Sequence, residues 1–379
     1  MTHRFTIDGS EALETALANL CEQARSGILE VFPPRRIKAL LLGGGYGRGE
    51  GGVLKTEEGD KPYNDLEFYL LLSGSDLLNN KLYHHRVEEL AHQLTGTVGI
   101  EVEFKLLTSR KLERSPVSMF YYDLINGHHL VHGDETWLAR CQHHRAAHRI
   151  PLYEATRLLL NRCSGLLFSQ EKLSRPEFSA AEADFVGRNL AKAKLALGDV
   201  ILAMRREYHW SCRERHKRLR KLEADGALQS FHSAVPLHSQ GVEFKLHPVY
   251  SARSVSEFRA ELDFLKELAS RLWLLLEEAR LAKSLVDLPD YSTDRASKCP
   301  ETNPLKNRLI NVRRFGAAGI FDHTYPRERL LRSLPLLLWT PDCVNDLKTQ
   351  FFLQQQLRTT AATYSEFVRA YEALWRVFN

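Results

Sequence analysis

Residues 40–72 read LLLGGGYGRGEGGVLKTEEGDKPYNDLEFYLLL, and this segment predicts the fold of the first part of the chain. Residues 37–42 are a short aliphatic run bounded by glycine, which is typical of a buried strand. Residues 66–72 form a second apolar run with strand character. Side chains two residues apart on a strand point to the same face, so we expect Asp65 and Glu67 to lie side by side.

The glycines between the two runs indicate a turn that binds an anion. Without a Cβ atom, glycine lets backbone N–H groups approach a ligand of the size of a phosphate. A phosphate-binding turn beside two carboxylates favours a divalent cation that bridges a nucleoside triphosphate to the protein. The glycines are Gly43, Gly44, Gly45, Gly47 and Gly49.

The residues GGYGRG at 44–49, followed by NDLE at 64–67, resemble the signature of the polymerase-β-like nucleotidyltransferase superfamily. That signature is a strand, a Gly-Ser or Gly-Gly turn, an Arg-Gly pair and Asp-x-Asp or Asp-x-Glu, with a third acid on a later strand. Residues 98–107, VGIEVEFKLL, offer Glu101 and Glu103 on one face of a predicted strand. Pattern alone leaves both open as the third acid. We favour Glu103, because the residues after it are similar to those after the family's third acid.

The resemblance covers residues 37–135 and implies an activity, a cofactor and a set of contacts. The enzyme would transfer a nucleoside monophosphate from a triphosphate such as ATP to a hydroxyl group. Mg²⁺ or Mn²⁺ would be bound by Asp65, Glu67 and Glu103, or by Glu101 in place of the last. The residues that would contact the nucleotide on the glycine turn are Gly44, Gly45, Tyr46 and Arg48.

The choice of acids bears on the acceptor. Asp-x-Glu with a third glutamate looks like the combination in some small-molecule antibiotic nucleotidyltransferases, which favours a small-molecule acceptor. Gly45 stands where the family most often has serine, so one hydroxyl contact to phosphate is missing. Two alternatives stay open: a toxin or regulator that modifies a protein or tRNA, and a non-catalytic nucleotide-binding member.

Other glycine-rich motifs fit this sequence less well. Residues 47–52 satisfy G-x-G-x-x-G, but a dinucleotide-binding loop must open a helix, and the residues that follow lack helical periodicity. No Gly-Lys-Ser or Gly-Lys-Thr follows the turn, which excludes a Walker A loop. A flexible turn without a ligand is the remaining alternative. Arg48 could pair with a phosphate or with a protein carboxylate, and the sequence leaves both open.

Periodicity predicts an α+β protein of two domains. The order helix, strand, strand, helix, strand indicates a small mixed-sheet domain over residues 1–150, which the resemblance makes the catalytic domain. We expect residues 121–134 to close it as a short hairpin-like segment. Helical patterns dominate residues 151–379, which we expect to form an all-α domain that binds substrate or nucleotide, with residues 288–308 as a linker.

Composition gives expectations about the cellular compartment and the ligands of this protein. The chain has 379 residues and a formal net charge of +5, which suits an anionic ligand without requiring nucleic acid. Six scattered cysteines form no C-x-x-C pair, which predicts neither a zinc site nor a disulfide framework. There is no run of eighteen apolar residues, so we expect a cytoplasmic protein that does not enter a membrane. Sequence leaves the oligomeric state open.

Two features of the second half are candidates for ligand contact. Residues 205–221 carry eight Arg or Lys against two Glu, a formal +6, with Tyr208 and Trp210 interleaved. This run could be a solvated helix face, a cationic wall for triphosphate, or a polynucleotide-binding surface. Just before it, residues 193–199 resemble a cleft-facing helix of bacterial nucleotidyltransferases. That resemblance implies nucleotide or acceptor contact for Lys192, Lys194 and Asp199.

Overall fold

The computed structural model describes residues 3–228 and 230–379, which form a mixed α+β structure as the sequence predicts. Contacts within the chain separate two compact units. The first comprises Met1–Pro151 and Arg205–Val249, and the second Leu152–Met204 and Tyr250–Asn379. The first junction follows Pro151, and residues 205–249, which the sequence assigns to the second domain, group with the first unit. The roles expected of the two domains stay predictions.

Six strands and fifteen α-helices are found in the described residues. The strands are β1 (Ile37–Leu42), β2 (Val53–Thr56), β3 (Gly59–Pro62), β4 (Leu66–Leu72), β5 (Val102–Thr108) and β6 (His129–Gly133). The helices are α1 (Glu11–Val31), α2 (Gly44–Gly47), α3 (Asp76–Val98), α4 (Ser109–Arg114), α5 (Met119–Asn126), α6 (Leu152–Leu173), α7 (Ala180–Met204), α8 (Cys212–Ala224), α9 (Ala234–Leu246), α10 (Val255–Leu281), α11 (Leu288–Thr293), α12 (Pro304–Phe315), α13 (Pro326–Trp339), α14 (Leu347–Leu357) and α15 (Tyr364–Phe378).

A four-stranded mixed sheet with the order β5-β4-β1-β6 forms the centre of the first unit. Strand β1 pairs antiparallel with β4 and with β6, and β5 pairs parallel with β4. Helix α3 makes the crossover that a parallel pair requires. The sheet therefore places β4 and β5 next to each other with their side chains aligned.

Side chains of β1 and β4 alternate between two apolar cores, one on each face of the sheet. Leu40, Phe68 and Leu70 pack with residues of α1 and α3 on one face. Leu41 and Tyr69 pack on the other face with residues of α5 and of the 3₁₀ segment Thr136–Arg145. Because alternate residues of a strand share a face, Glu67 lies on the same face as Tyr69.

Two local predictions for these regions are wrong, and one further element was not predicted. Residues 121–134 form no hairpin, because α5 ends at Asn126 and β6 then pairs with the distant β1. The two-stranded β2–β3 hairpin is not predicted by the sequence, because its strands carry few apolar residues. The expected linker 288–308 contains α11 and the start of α12, which begin at capped N-termini.

Among the described residues of the second unit, all regular secondary structure is helical, as its periodicity predicts. The side chains of Ser179 and Ser254 each accept a hydrogen bond from the backbone N–H of the glutamate three residues later. The carboxylate of that glutamate accepts a hydrogen bond from the backbone N–H of the serine. These reciprocal hydrogen bonds are capping boxes at the start of α7 and α10. Among the described residues, none of the helices combines the length and the apolar character needed to cross a membrane.

Glycine at position 47 is required by the packing of the turn after β1. A Cβ there would lie 2.1 Å from the carbonyl oxygen of Leu42, whereas a Cβ at Gly96 in α3 would meet nothing within 4 Å. We expect Gly47→Ala to lower the free energy of unfolding by about 1–3 kcal/mol through overpacking. Gly96→Ala should raise it by up to about 1 kcal/mol through helix propensity. Urea denaturation of both variants checks this, and equal midpoints would contradict it.

Candidate active site

Three of the predicted acids lie together in the first unit. Asp65, Glu67 and Glu103 each offer a carboxylate oxygen, and these oxygens lie within 4.8 Å of one another. Asp65 is exposed, and the other two are half-buried. Glu101 is exposed just before β5 and lies outside this group, so the geometry favours Glu103 of the two alternatives. We call these three residues the acidic cluster.

Strand register brings the two glutamates together. In the parallel pair β4–β5, Glu67 is aligned with Glu103 and Tyr69 with Lys105. All four side chains therefore project from the same face of the sheet. Two like charges directly opposite on neighbouring strands repel each other, so a cation beside them stabilises this arrangement.

Lys105 supplies a positive charge at that point. Its Nζ lies 2.7 Å from Oε1 of Glu67 and 3.1 Å from Oε2 of Glu103. The ammonium also lies 5.6 Å from the centre of the Tyr69 ring, within the range of a cation–π interaction. Burial disfavours the charged ammonium, but the hydrogen bond and charge of Glu67 outweigh it and raise the pKa of Lys105.

The glycine turn lies directly against the acidic cluster. The backbone N–H of Gly43 donates to the carbonyl oxygen of Glu67 at 2.9 Å. Gly44 has φ +61°, and a Cβ on it would lie 2.9 Å from Oε2 of Glu67. Any larger residue at position 44 would be strained in its backbone and would press on the Glu67 carboxylate. The turn and the acids therefore form one structural feature.

Gly45 and Tyr46 are placed by packing within the turn. A Cβ on Gly45 would lie 3.0 Å from the carbonyl oxygen of Glu50. The Tyr46 side chain is buried; its hydroxyl donates to the Gly52 carbonyl and accepts from the Tyr63 N–H. Burial raises the pKa of Tyr46 to about 12. The Tyr46 side chain thus anchors the turn, and a nucleotide contact here would involve its backbone.

Arg48 pairs with a protein carboxylate, one of the two alternatives that the sequence left open. Its Nε donates to the carbonyl of Gly44 at 2.8 Å. Its Nη1 lies 3.0 Å from Oδ2 of Asp123 and 2.9 Å from the carbonyl of Trp210. Only 12% of its side chain is exposed. In this structure Arg48 therefore joins the glycine turn to α5 and to the segment before α8.

Glu50 forms a second link to the same segment. Its carboxylate accepts from Oγ of Ser211 at 2.5 Å and from the backbone N–H of Cys212 at 2.9 Å. It thereby satisfies donors at the N-terminus of α8, where negative charge is favourable. Burial opposes the charged form, but the Ser211 hydroxyl, the Lys245 charge and the Cys212 N–H together hold the pKa of Glu50 below its ordinary value.

The basic run at residues 205–221 is divided between structural and exposed cations. Arg215 is buried and donates to the carbonyls of His209 and Trp210. Arg218 is half-buried and bonds Glu214 and the carbonyl of Glu207. The six exposed members are Arg205, Arg206, Arg213, Lys217, Arg220 and Lys221. This part of the first unit therefore presents a strongly cationic surface next to residues that support the glycine turn.

The candidates from residues 193–199 belong to the second unit. Lys194 forms an ion pair with Glu261 of α10, and Glu261 also bonds Arg253. Asp199 is buried in α7, and Lys192 is exposed. The contacts of Lys194 within its own unit give it a structural role, and nucleotide contact by these residues stays a prediction.

Sequence reasoning missed Lys105, Glu50 and Asp123. Lys105 had a usable signal, because it lies two residues after Glu103 and a strand puts both on one face. Glu50 and Asp123 act through partners 161 and 75 residues away in the chain, and no local pattern reveals such contacts.

The donor set fits a hard divalent cation. Carboxylate oxygens are the ligands preferred by Mg²⁺ and Mn²⁺, and three of them converge here. Neither a protein-family model nor a curated protein sequence matches this chain. The assignment of a function therefore depends on the residues and their geometry.

The link formed by Glu50 makes stability depend on pH. A carboxyl whose pKa is lower in the folded than in the unfolded state stabilises the fold above its ordinary pKa of 4.5, and this contribution disappears as pH falls through the folded value. We expect Glu50→Gln to cost about 1–3 kcal/mol of unfolding free energy at pH 7. The difference from the parent chain should shrink on acidification.

Urea denaturation at a series of pH values measures this difference. Glu57→Gln, in the exposed turn of the β2–β3 hairpin, is the matched control and should change little at any pH. A Glu50→Gln penalty that stays constant from neutral to acidic pH would show that the charge of Glu50 is not responsible.

Proposed function

We propose that this protein is a metal-dependent nucleotidyltransferase that moves a nucleoside monophosphate from a triphosphate to a hydroxyl group. The observation that carries the proposal is the convergence of Asp65, Glu67 and Glu103 against a glycine turn. Phosphoryl transfer requires little covalent chemistry from the protein, but it requires positioned charges around the phosphates. An acidic cluster that binds divalent cations beside an anion-sized turn meets that requirement.

The proposed roles follow from position and chemistry. When bound, Mg²⁺ would neutralise phosphate charge and increase the acidity of the acceptor hydroxyl. Asp65 and Glu67 would bind this ion. Glu103 would bind metal on the side of the attacking acceptor hydroxyl and would accept the proton of that hydroxyl. The acceptor oxygen would bond to the α-phosphorus as the bond to the pyrophosphate oxygen breaks, so that pyrophosphate leaves. The backbone at Gly44 and Gly45 would contact the triphosphate.

A small molecule is the acceptor that we favour, on the resemblance of the Asp-x-Glu and third glutamate to antibiotic nucleotidyltransferases. The exposed cations of residues 205–221 favour a second candidate, a tRNA acceptor, because a cationic surface of this kind attracts a polyanion. Incubation of the protein with labelled triphosphates and a cell extract separates the acceptors by whether label enters small molecules, tRNA or protein.

Triphosphate binding that depends on the acidic cluster tests the proposal. We expect ATP, CTP, GTP or UTP to bind in the presence of Mg²⁺, as measured by isothermal titration calorimetry. Asp65→Asn and Glu67→Gln should weaken that binding about a hundredfold or more, because each removes a ligand that neutralises the phosphate complex. Glu101→Gln is the matched control, since Glu101 is exposed and lies outside the cluster.

Binding of none of the four triphosphates by a folded sample would contradict the proposed function. An equal loss in Glu101→Gln and in the cluster variants would also contradict it, because the effect would then follow overall charge and not the acidic cluster.

A further inference from the structure

Lys105 bridges the two glutamates that the proposed function assigns to the metal ion. Its Nζ contacts Oε1 of Glu67 and Oε2 of Glu103, and both residues belong to the acidic cluster. An ammonium and a divalent cation bind carboxylates by the same electrostatic attraction, and two cations held by the same pair of carboxylates repel each other. The contact that stabilises the site without metal therefore opposes metal binding.

The position of Lys105 allows its ammonium to move. The side chain is 42% exposed, compared with 25% for Glu67 and 39% for Glu103. Lysine carries its charge on a flexible four-carbon stem, so the ammonium can leave the carboxylates without any movement of β5. One ammonium shared by Glu67 and Glu103 does not neutralise both carboxylates, so this pair still attracts a further cation.

We propose that Lys105 is an exchangeable counter-ion that couples the binding of the divalent cation to that of the triphosphate. Without substrate, the ammonium holds Glu67 and Glu103 together and weakens binding of the free metal ion. When metal and triphosphate enter together, the ammonium leaves the glutamates and pairs with phosphate oxygens. The ion pair between Lys105 and phosphate replaces the ion pairs lost with Glu67 and Glu103. Metal ion and triphosphate therefore each strengthen the binding of the other.

This inference depends on the proposed function, and it makes two predictions of opposite sign. Lys105→Met keeps much of the apolar stem and removes the charge. We expect it to bind free Mn²⁺ about tenfold or more tightly than the parent chain, because the competing ammonium is gone. We expect the same variant to bind a non-hydrolysable triphosphate with Mn²⁺ about tenfold or more weakly, because the displaced ammonium no longer reaches phosphate.

Electron paramagnetic resonance of Mn²⁺ and calorimetry measure the two affinities in the full chain. Lys81→Met is the matched control, since Lys81 is exposed on α3, the helix that packs on the opposite face of the sheet. Lys105→Gln is a second variant in case the methionine prevents folding. In the parent chain itself, saturating triphosphate should tighten Mn²⁺ binding about tenfold or more.

The outcomes separate this inference from the proposed function. If the parent chain binds Mn²⁺ and triphosphate but Lys105→Met and Lys105→Gln leave both affinities unchanged, Lys105 is only a structural ion pair and the inference is overturned. A loss of both affinities would equally overturn it, because a competing ammonium cannot aid free-metal binding. If the folded parent chain binds neither ligand, the proposed function fails and the inference fails with it.

Discussion

The repulsion between Glu67 and Glu103 is the constraint on which the site depends. The parallel register of β4 and β5 aligns the two carboxylates on one face of the sheet, and Asp65 adds a third beside them. Like charges directly opposite on neighbouring strands destabilise a sheet, and a cation between them relieves the repulsion. Lys105 provides one positive charge against the two glutamates, so this pair keeps an attraction for a divalent cation.

The glycine turn is held in place by a separate set of contacts. Arg48 and Glu50, which flank its end, bond Asp123 and the residues that lead into α8. In this structure both charged side chains are paired with groups of the protein. These contacts hold the glycine turn in place next to Glu67.

Much of this arrangement could be predicted from the sequence, because it follows from local patterns. Alternation along β4 predicts the shared face of Asp65 and Glu67, and the apolar runs predict the buried strands. The pairing of Glu67 with Glu103 depends on a crossover through α3 and has no local signal. The hairpin β2–β3 was missed because its strands are mostly polar, so hydrophobic periodicity did not mark it.

The contacts of Arg48 show that sequence patterns do not reveal partners that are distant in the chain. The sequence left open whether Arg48 pairs with a phosphate or with a protein carboxylate. In the structure Arg48 bonds Asp123 and the carbonyl of Trp210, which are 75 and 162 residues away in the chain. The same long-range contacts draw residues 205–249 into the first unit, although their helical pattern is indistinguishable from that of the second. Tertiary contacts of this kind decide domain membership where local periodicity cannot.

The most direct test is a crystal structure of the full chain with Mn²⁺ and a non-hydrolysable triphosphate, with anomalous scattering used to find the metal. The account predicts an anomalous peak coordinated by carboxylate oxygens of Asp65, Glu67 and Glu103, with the triphosphate against the glycine turn. A bound triphosphate whose Mn²⁺ lies away from all three carboxylates would contradict it.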